Sequence, residues 1–302
     1  MGEGFRSGFV ALLGRPNAGK STLVNQMVGS EVSIATRKPQ TTRHRILGIA
    51  DGDGHQIIFV DTPGIHRARK NSPPALSRHL NKTAIAAAAG VDVALLLLTC
   101  GGWRDSDRRA LQAAKESGAP VVLGINKIDR LRDKAQLLPL IGQSARLFSF
   151  AEVVPLSALK RDNLERLRAV LVRHLPAAPR GFPRGQTSDR GRRFMAAEFL
   201  REQLINHLGQ ELPHVVAVEV QRCAEEGGAL AVDALVWVEK AGQKPIVLGK
   251  NGARIKSAGT RARKKMERHF GARVRLNTWV KVKKNWTDDE RALRSLGYAE
   301  HG

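Results

Sequence analysis

Short apolar runs alternate with amphipathic stretches along the first 175 residues of the chain. The apolar runs have the length of buried strands and are Phe9–Leu13, Gln56–Val60, Val93–Thr99, Val121–Asn126 and Val153–Leu156. Segments with helical spacing lie between most of them, among them Leu76–Ala89 and Arg108–Ser117. This alternation is typical of the α/β class and predicts a mostly parallel sheet covered by helices.

A different pattern follows a Pro- and Gly-rich stretch at 176–192, which predicts a linker. The order becomes helix, strand, strand, helix, helix, strand, and its clearest segments are Arg193–Leu208, Val215–Val220, Ala229–Val238, Ala253–Phe270 and Val274–Val282. We therefore expect one α/β domain at 1–175 and a smaller α+β domain at 193–302.

Charge narrows the class of partner. The 302 residues include 50 Lys and Arg against 28 Asp and Glu, a net charge of +22. The stretch Lys240–Lys284 holds 15 basic residues and one acidic residue, Glu267. A solvated helix face is the plain explanation of a charge run, but so one-sided an excess favours a polyanion, with RNA ahead of DNA or an anionic membrane surface.

Three further features point to the cytoplasm. The chain has two cysteines, Cys100 and Cys223, which excludes a disulfide scaffold and favours a reducing compartment. The first glycine-rich motif begins at Gly14, and we therefore expect no targeting peptide before it. The most apolar stretch, Val91–Thr99, is shorter than the roughly 20 residues that cross a bilayer.

The segment Gly14–Ser21 fits the pattern G-x-x-x-x-G-K-S between a predicted strand and the helical stretch Ser21–Val28. Its glycines let the backbone turn tightly, so that successive N–H groups and a helix N-terminus point at phosphate oxygens. Lys20 would neutralise the β- and γ-phosphates, and the Ser21 hydroxyl would bind Mg²⁺. The sequence predicts a nucleoside triphosphate site.

Two more segments belong to the same predicted site. Asp61-Thr62-Pro63-Gly64 follows a strand, so the Asp61 carboxylate can hold Mg²⁺ and the Gly64 N–H can meet the γ-phosphate. Gln40–His44 lies before the next strand, and a threonine there can reach Mg²⁺ only when a γ-phosphate is present. We favour Thr42 over Thr41 as that residue, and both segments are predicted switches.

The base is predicted from Asn126-Lys127-Ile128-Asp129 at the end of another strand. The Asp129 carboxylate can accept hydrogen bonds from the ring N–H and the exocyclic amine of guanine, while the Lys127 stem covers the ring. Adenine would leave that carboxylate unpaired and be rejected by about 10⁴-fold or more. Ser157 and Ala158 end the last strand and can offer a backbone N–H to the guanine carbonyl. These motifs together predict GTP and GDP as ligands.

Hydrolysis is less completely specified. GTPases that orient water with glutamine carry it just after Asp-x-x-Gly, where this chain has Ile65. We therefore expect slow intrinsic turnover that depends on Lys20 and Mg²⁺. Asn17 is either a turn-forming residue of the phosphate loop or a ligand for K⁺, and the sequence favours neither.

The second domain carries a G-x-x-G loop between an apolar turn and a basic helix. Glycines let such a loop approach a nucleic-acid backbone, and the element order predicts a type II KH module, whose groove holds about four single-stranded nucleotides. Trp279 and Trp286 are candidate stacking platforms; burial in the core is the favoured interpretation for Trp279. The predicted RNA contacts are Ile246, Leu248, Gly249, Lys250, Asn251, Gly252, Arg254, Ile255 and Lys256.

With these motifs in place, the chain resembles the bacterial Era family over nearly its whole length. The segments that carry the resemblance are Gly14–Ser21, Lys38–Arg45, Asp61–Gly64, Asn126–Asp129 and Trp286–Tyr298. The resemblance implies a Ras-like GTPase domain joined to a type II KH domain, binding near the 3′ end of 16S rRNA, and assistance to maturation of the small (30S) ribosomal subunit. It also implies that GTP favours RNA binding, and some peripheral association with the inner membrane.

The predictions for the nucleotide site cover eighteen contacts. They are Gly14, Arg15, Pro16, Asn17, Ala18, Gly19, Lys20, Ser21, Thr22, Asp61, Thr62, Pro63, Gly64, Asn126, Lys127, Asp129, Ser157 and Ala158. Within the site, Lys20, Thr42 and Gly64 are the predicted catalytic residues, and Ser21, Thr42 and Asp61 the predicted metal ligands.

The function predicted from these residues is a cytoplasmic, monomeric GTPase that acts as an RNA-binding switch. One alternative is a passive RNA-binding protein or RNA chaperone whose nucleotide site is structural. The intact Lys20, Ser21, Asp61 and Asp129 count against it. Another alternative is a membrane-recruited signalling GTPase, which would need the basic charge but no glycine clamp.

Overall fold

The computed structural model describes residues 4–36, 38, 41–64, 80, 83–86, 89–208, 216–289 and 293. These residues form two compact units. The first unit comprises the described residues of 1–35, 42–67 and 80–189, and the second comprises those of 36–41 and 190–302. The first unit ends at Asp189, which lies inside the stretch predicted to be a linker.

The first unit contains a six-stranded sheet in the order β2-β3-β1-β4-β5-β6. Its strands are β1 (Arg6–Leu13), β2 (Ile46–Gly52), β3 (His55–Asp61), β4 (Val93–Thr99), β5 (Val121–Asn126) and β6 (Glu152–Pro155). All neighbours are parallel except β2, which pairs antiparallel with β3. The five strands predicted from apolar runs are confirmed, and β2 was missed because it mixes apolar residues with two glycines and Asp51.

Helices cover both faces of this sheet. They are α1 (Lys20–Val28), α2 (Asp105–Glu116), α3 (Leu137–Leu147) and α4 (Leu164–His174). Leu12 packs in one buried cluster with residues of α1 and α4, whereas its neighbour Leu13 packs in a second cluster with residues of α2 and α3. The predicted helix Leu76–Ala89 falls largely outside the described residues. Because the carboxyl ends of parallel strands meet at one edge, the loops after β1, β3, β5 and β6 meet there.

The residues that follow α4 are hydrogen-bonded to three strands of the same unit. The Ser7 N–H donates to the Pro176 carbonyl, and the Ile49 N–H donates to the Thr187 carbonyl. The Gln56 side-chain oxygen accepts from the backbone N–H groups of Gly181 and Phe182. This Pro- and Gly-rich stretch therefore runs along β1, β2 and β3.

The described residues of the second unit form a three-stranded sheet and three α-helices. Its elements are α5 (Arg192–His207), β7 (Ala217–Glu226), β8 (Ala229–Val238), α6 (Gln243–Leu248), α7 (Ala253–Phe270) and β9 (Arg273–Val282). The sheet order is β7-β8-β9, with β7 antiparallel and β9 parallel to β8. The predicted element order is confirmed.

Trp279 and Trp286, the two candidate stacking platforms, differ in exposure. Burial alternates along β9, with Val274 and Val280 buried on one face and Trp279 48% exposed on the other. The prediction that Trp279 is buried was wrong, because that residue falls on the strand face opposite the one that packs against α7. Trp286 is fully buried, which removes it as a stacking platform.

Within the part of the chain that the structure describes, none of the helices combines the length and the apolar character that a membrane span requires.

Candidate functional site

The phosphate loop needs its two outer glycines for space as well as for backbone conformation. Gly14 and Gly19 have φ values of 146° and 103°, in the region that side chains disfavour. A Cβ at Gly14 would lie 2.6 Å from the Leu97 carbonyl oxygen, and one at Gly19 would lie 2.3 Å from the Asn126 side-chain nitrogen. The loop is therefore packed against β4 and against the segment predicted to bind guanine.

Lys20 is buried at the start of α1. Its ammonium donates to the backbone carbonyls of Gly14, at 3.0 Å, and of Arg15, at 3.2 Å. Burial lowers the pKa of Lys20 to about 8, against the opposing effect of the Asp61 carboxylate. A buried cation satisfied by carbonyls of the phosphate loop is placed to turn to a phosphate that enters that loop.

The three predicted metal ligands come together beside Lys20. The Ser21 and Thr42 hydroxyl oxygens are 2.8 Å apart, whereas the Thr41 hydroxyl bonds to Thr36. Both carboxylate oxygens of Asp61 are buried without a hydrogen-bond donor in bonding geometry. Burial raises the pKa of Asp61, although the Lys20 charge and the nearby Ser33 and Ser21 hydroxyls oppose that rise. An unsatisfied buried carboxylate with hydroxyl oxygens fits Mg²⁺, which prefers hard oxygen ligands.

Gly64 lies directly against the phosphate loop. A Cβ at this position would be 2.6 Å from the backbone nitrogen of Pro16. The preceding Thr62 anchors the segment, because its buried hydroxyl donates to the Leu12 carbonyl at 3.0 Å, and Pro63 is also buried. The segment Asp61–Gly64 thus passes close enough to the loop for a backbone N–H to meet a terminal phosphate.

Asn126 joins three parts of the predicted guanine site. Its side-chain nitrogen donates to the Ala18 carbonyl at 2.8 Å. Its side-chain oxygen accepts from the N–H groups of Lys127, at 2.7 Å, and Ala158, at 3.0 Å. The buried amide of Asn126 therefore holds the base-binding segments in register with the phosphate loop.

Asp129, which is predicted to bind guanine, is exposed, and one of its carboxylate oxygens has a hydrogen-bond donor within the chain. The buried Ser157 hydroxyl donates to one Asp129 oxygen. The Lys127 ammonium donates to the Asn17 carbonyl at 2.6 Å, which stretches the lysine stem along the loop. Asn17 itself has a φ of 61°, so the turn-forming role is realised. Among the other predicted contacts, Thr22 is half-buried in α1 and Ala18 is buried, while Ile65 falls outside the described residues.

The sequence did not reveal how the Arg15 side chain is held. Its guanidinium donates to the Thr99 hydroxyl at 2.7 Å and lies 3.3 Å from the buried Asp107 carboxylate. Asp107 also accepts from the Arg104 N–H at 3.0 Å, which caps α2. No local pattern marks these partners, because Arg15 is 84 positions away from Thr99. The contact fixes the phosphate loop to the end of β4 and to α2.

In the second unit, the G-x-x-G loop adopts left-handed backbone conformations. Gly249, Asn251 and Gly252 have φ values of 73°, 50° and 74°. A Cβ at Gly249 would lie 2.7 Å from the Cβ of Arg254, so this glycine is also required by packing. The Arg254 guanidinium donates to the Ile246 carbonyl and braces the loop from behind. Lys250 and Asn251 are exposed at its tip.

A cavity of about 300 Å³ lies between α7 and β9. It is lined by Ile255, Lys256, Gly259, Thr260, Arg263, Leu276 and Thr278, which we call the RNA groove. Of the nine predicted RNA contacts, only Ile255 and Lys256 line it; Ile246 and Leu248 lie before the loop on α6. The helical lining could have been found from its spacing, since residues 255, 256, 259, 260 and 263 share one helix face.

Adjacent threonines before β2 are bound in different ways. Within the second unit, the Thr41 carbonyl accepts from the Arg201 guanidinium at 2.6 Å. Arg201 is 1% exposed and is also paired with the buried Glu198. Thr42, one residue later, belongs to the first unit and bonds to Ser21. The boundary between the two units therefore falls between these two threonines.

Comparison with known proteins follows the same two-part division. A family model described as a 50S ribosome-binding GTPase matches residues 9–127, and a KH domain model matches residues 211–287. GTPase Era of Xanthomonas axonopodis pv. citri (strain 306) is 48% identical over 293 residues, which are 97% of this chain and 97% of that protein. GTPase Era of Stenotrophomonas maltophilia (strain K279a) is 48% identical over 96% of this chain and 97% of its own.

Two solved structures match almost the whole fold. A single-residue variant of Aquifex aeolicus Era, bound to GDP and AlF₄⁻, has a TM-score of 0.94 and 35% identity, and the match covers 98% of this chain and 100% of that one. Era in complex with MgGDPNP and nucleotides 1506–1542 of 16S ribosomal RNA matches with the same score, identity and coverage. The phosphate loop, the guanine segments and the KH unit therefore follow one another in the order found in these Era proteins. The chain is a GTPase that belongs to the Era family.

Proposed function

We propose that this protein is a GTP-hydrolysing switch that binds 16S rRNA near its 3′ end and assists maturation of the small ribosomal subunit. The observation that carries the proposal is the Era structure that holds both a GTP analogue with Mg²⁺ and nucleotides 1506–1542 of 16S rRNA, since it matches 98% of this chain. The nucleotide site and the RNA groove described above supply the two binding surfaces that such a switch needs.

In the first unit, the chain's own residues divide the work of binding and hydrolysis. Lys20 leaves the carbonyls of the phosphate loop and neutralises the β- and γ-phosphates. Ser21, Thr42 and Asp61 would hold Mg²⁺, which stabilises the charge that develops on the phosphates. The Gly64 N–H meets the γ-phosphate, and Asp129 selects guanine. Hydrolysis removes the γ-phosphate on which the positions of Gly64 and Thr42 depend, so both segments are released.

A monovalent cation is the proposed completion of the hydrolysis site. We place K⁺ beside Asn17 on the phosphate loop, whose backbone carbonyl accepts from the Lys127 ammonium. A cation there would supply positive charge in the place where other GTPases use an arginine finger. Turnover in K⁺ buffer is expected to exceed turnover in Na⁺ buffer, and equal rates would contradict this assignment.

In the second unit, the RNA groove and the G-x-x-G loop form one surface. Lys250 at the loop tip, Lys256 and Arg263 place cations around a cavity whose apolar lining comes from Ile255 and Leu276. Unstacked bases enter the apolar part, while the backbone follows the glycine loop. The volume and the loop geometry suit a few single-stranded nucleotides and not a duplex.

The coupling between nucleotide and RNA is proposed to pass through residues 41 and 42. When Mg²⁺ and a γ-phosphate order Thr42, the neighbouring Thr41 carbonyl is held where Arg201 can bond to it. The guanidinium of Arg201 is buried and paired with Glu198, so losing the carbonyl leaves a buried donor without that partner, at a cost of about 1–3 kcal/mol. A free-energy difference of this size is enough to shift the second unit between a conformation that binds RNA well and one that binds it poorly.

The test is the affinity of the full-length protein for a short RNA copied from the 3′ end of small-subunit rRNA. We expect tighter binding with a non-hydrolysable GTP analogue than with GDP, and loss of binding when the RNA sequence is scrambled. Equal affinity in both nucleotide states would contradict the switch and favour the passive RNA-binding alternative.

A second arm locates the RNA surface. Gly252→Asp places a negative charge against the RNA backbone, and Gly252→Ala is its matched control, because both variants carry a Cβ at the same left-handed φ of 74°. We expect RNA affinity to fall at least about tenfold further for Gly252→Asp than for Gly252→Ala. GTP hydrolysis should be equal in the two variants, and equal RNA affinity would place the groove elsewhere.

A cytoplasmic location with weak peripheral membrane association, and a monomeric state, complete the proposal. The basic stretch Lys240–Lys284 supplies charge that anionic lipid and RNA would share. If RNA is the physiological partner, a short RNA should displace the protein from anionic vesicles. Vesicle binding that persists in excess RNA would favour the membrane-recruited alternative.

A further inference from the structure

Trp279 is unusually exposed for a large apolar side chain near the middle of a strand. Almost half of its surface is open, and Lys281 follows it on the same face of β9. We infer that Trp279 is a stacking platform for a base of single-stranded RNA that passes out of the RNA groove and over β9. The inference rests on the proposed RNA-binding function and extends its site by one or two nucleotides.

The position of β9 makes this path short. Its described residues pair only with β8, so β9 is an edge of the three-stranded sheet. Leu276 and Thr278 line the RNA groove from one face of β9, and Trp279 projects from the opposite face because side chains alternate along a strand. The groove and the indole are therefore separated by the thickness of one strand, and an RNA chain that crosses the edge reaches both.

The chemistry of this strand face suits a nucleic acid. Trp279 shares it with Arg273, Arg275, Asn277 and Lys281, and β9 contains no acidic residue. Proteins that bind single strands combine aromatic faces for the bases with cations for the backbone. We assign the base to Trp279 and the flanking phosphates to Arg275 and Lys281, which stand at distances of four and two residues from it.

The acidic groups that face this surface from the neighbouring strands already have partners. Asp233, opposite Asn277 in the register, accepts from the Asn277 amide at 2.9 Å and lies 3.8 Å from an Arg222 nitrogen. Glu219 accepts from the Trp237 indole N–H at 2.8 Å. The charge that remains for a ligand on β9 is therefore positive, which favours a polyanion over a neutral protein surface. The exposed aromatic face of Trp279 among these cations favours single-stranded RNA over an acidic protein.

A purely structural role for Trp279, as an apolar cover of the sheet, can be separated from base stacking by substitution. Trp279 stands opposite Leu235 in the register, and Leu235 is buried, so part of the indole acts as a cover. Trp279→Leu keeps an apolar cover and removes the aromatic face. Trp279→Phe keeps a smaller apolar cover and a smaller aromatic face. Trp237→Phe is the matched control, because Trp237 stands on the same strand face as Leu235 with its indole N–H committed to Glu219.

The experiment compares two RNA lengths on the full-length protein with a non-hydrolysable GTP analogue. A tetranucleotide fills only the groove, and a decanucleotide from the 3′ end of small-subunit rRNA can also cross β9. For Trp279→Leu we expect the tetranucleotide affinity to stay within about twofold and the decanucleotide affinity to fall about 5- to 150-fold. Trp279→Phe should retain most of the affinity, and Trp237→Phe all of it.

Tryptophan fluorescence supplies an independent readout. The decanucleotide should quench emission from the wild-type protein more than the tetranucleotide does, and the difference should vanish in Trp279→Leu. Wild-type affinity of Trp279→Leu for both RNAs would overturn the inference, as would an equal loss for both, since that would make Trp279 a support of the groove. Failure of the proposed function is distinguishable, because Gly252→Asp would then bind both RNAs like Gly252→Ala.

Discussion

The nucleotide site and the RNA groove are built in opposite ways. In the nucleotide site, Lys20, Asp61 and Asn126 are buried, and a Cβ at Gly19 or Gly64 would clash at 2.3 or 2.6 Å. In the RNA groove, Lys256 lies at the surface, and a Cβ at Gly259 would meet open space. One site is closed by contacts within the chain, and the other leaves room for a ligand.

This difference follows from what each ligand requires. A nucleotide is small, and its phosphates and base are recognised by groups at fixed short distances, which only a packed loop can hold. Single-stranded RNA is long and flexible, so it is held by shape and by charge spread over a helix and a strand. Substitutions in the first site should therefore have large and specific effects, and those in the second should have smaller and graded effects.

The largest effect is expected for Asp129→Asn. In the proposed assignment the carboxylate accepts two hydrogen bonds from guanine. Each charged hydrogen bond contributes about 1.5–3 kcal/mol, so GTP affinity should fall by about 10²- to 10⁴-fold. Xanthosine triphosphate has a carbonyl where guanine has the exocyclic amine, so it should regain affinity for the new amide. The measurement is competition of GTP, ATP and xanthosine triphosphate for the site. Asp133→Asn is the control, since this exposed carboxylate caps a short 3₁₀ turn. An unaltered preference for GTP over ATP in Asp129→Asn would refute the assignment.

Gly64→Ala tests the close approach of the second switch. The added methyl group would sit 2.6 Å from the Pro16 backbone nitrogen, so the segment must move away from the γ-phosphate. Loss of one well-placed N–H donor predicts a fall in kcat of about 10²-fold. GDP affinity should stay unchanged, because GDP has no γ-phosphate. The control is Gly142→Ala on α3, where a Cβ meets nothing; equal kcat values in the two variants would contradict the role of Gly64.

Gly259→Leu tests the groove by filling it. The side chain would enter the cavity between α7 and β9 without a backbone clash, and we expect RNA affinity to fall by about tenfold or more. The melting temperature should rise, because replacing glycine inside a helix by leucine is favourable by roughly 0.8 kcal/mol. Lost binding together with gained stability would exclude unfolding as the cause. Gly142→Leu should gain stability and keep RNA affinity, and unchanged RNA affinity of Gly259→Leu would place the RNA elsewhere.

The smallest effect concerns the protonation of Lys20. Its pKa of about 8 in the nucleotide-free protein lies below the ordinary 10.5, and bound phosphates favour the charged form. GTP affinity should therefore be flat below that pKa and weaken above it, by about sevenfold between about pH 7 and about pH 8.8. The sign is opposite for folding: the unfolded chain binds this proton more tightly than the folded chain does, so stability from this group rises with pH between about 8 and 10.5.

The measurement is the affinity for a non-hydrolysable GTP analogue, titrated at several pH values. Lys20→Met should bind weakly and lose this pH dependence. An identical pH profile in the wild-type protein and in Lys20→Met would show that another group titrates.

Most of the nucleotide site could be predicted because its motifs are local. Gly14–Ser21 and Asn126–Asp129 each place several functional atoms within one loop, and parallel strands bring the loops to one edge of the sheet. The contacts of Arg15 with Asp107 and Thr99 could not be predicted, since they join positions more than 80 residues apart. Only two of the seven residues that line the RNA groove, Ile255 and Lys256, were predicted, because they follow the G-x-x-G motif directly. The rest of the lining comes from later turns of α7 and from β9, which carry no motif.

The sequence by itself determined the two-part organisation, the order of the elements, guanine as the base and a polyanion as the second partner. These follow from spacing, from residue chemistry and from charge, which do not depend on how distant segments meet. Only the tertiary structure decided that Trp279 faces outward while Trp286 is buried, and that Thr41 bonds to Arg201 while Thr42 bonds to Ser21. The physical reason is that neighbouring residues of a strand point to opposite faces, and neighbouring threonines can bond to different partners. Which face is covered and which partner is near are set by elements far away in the chain.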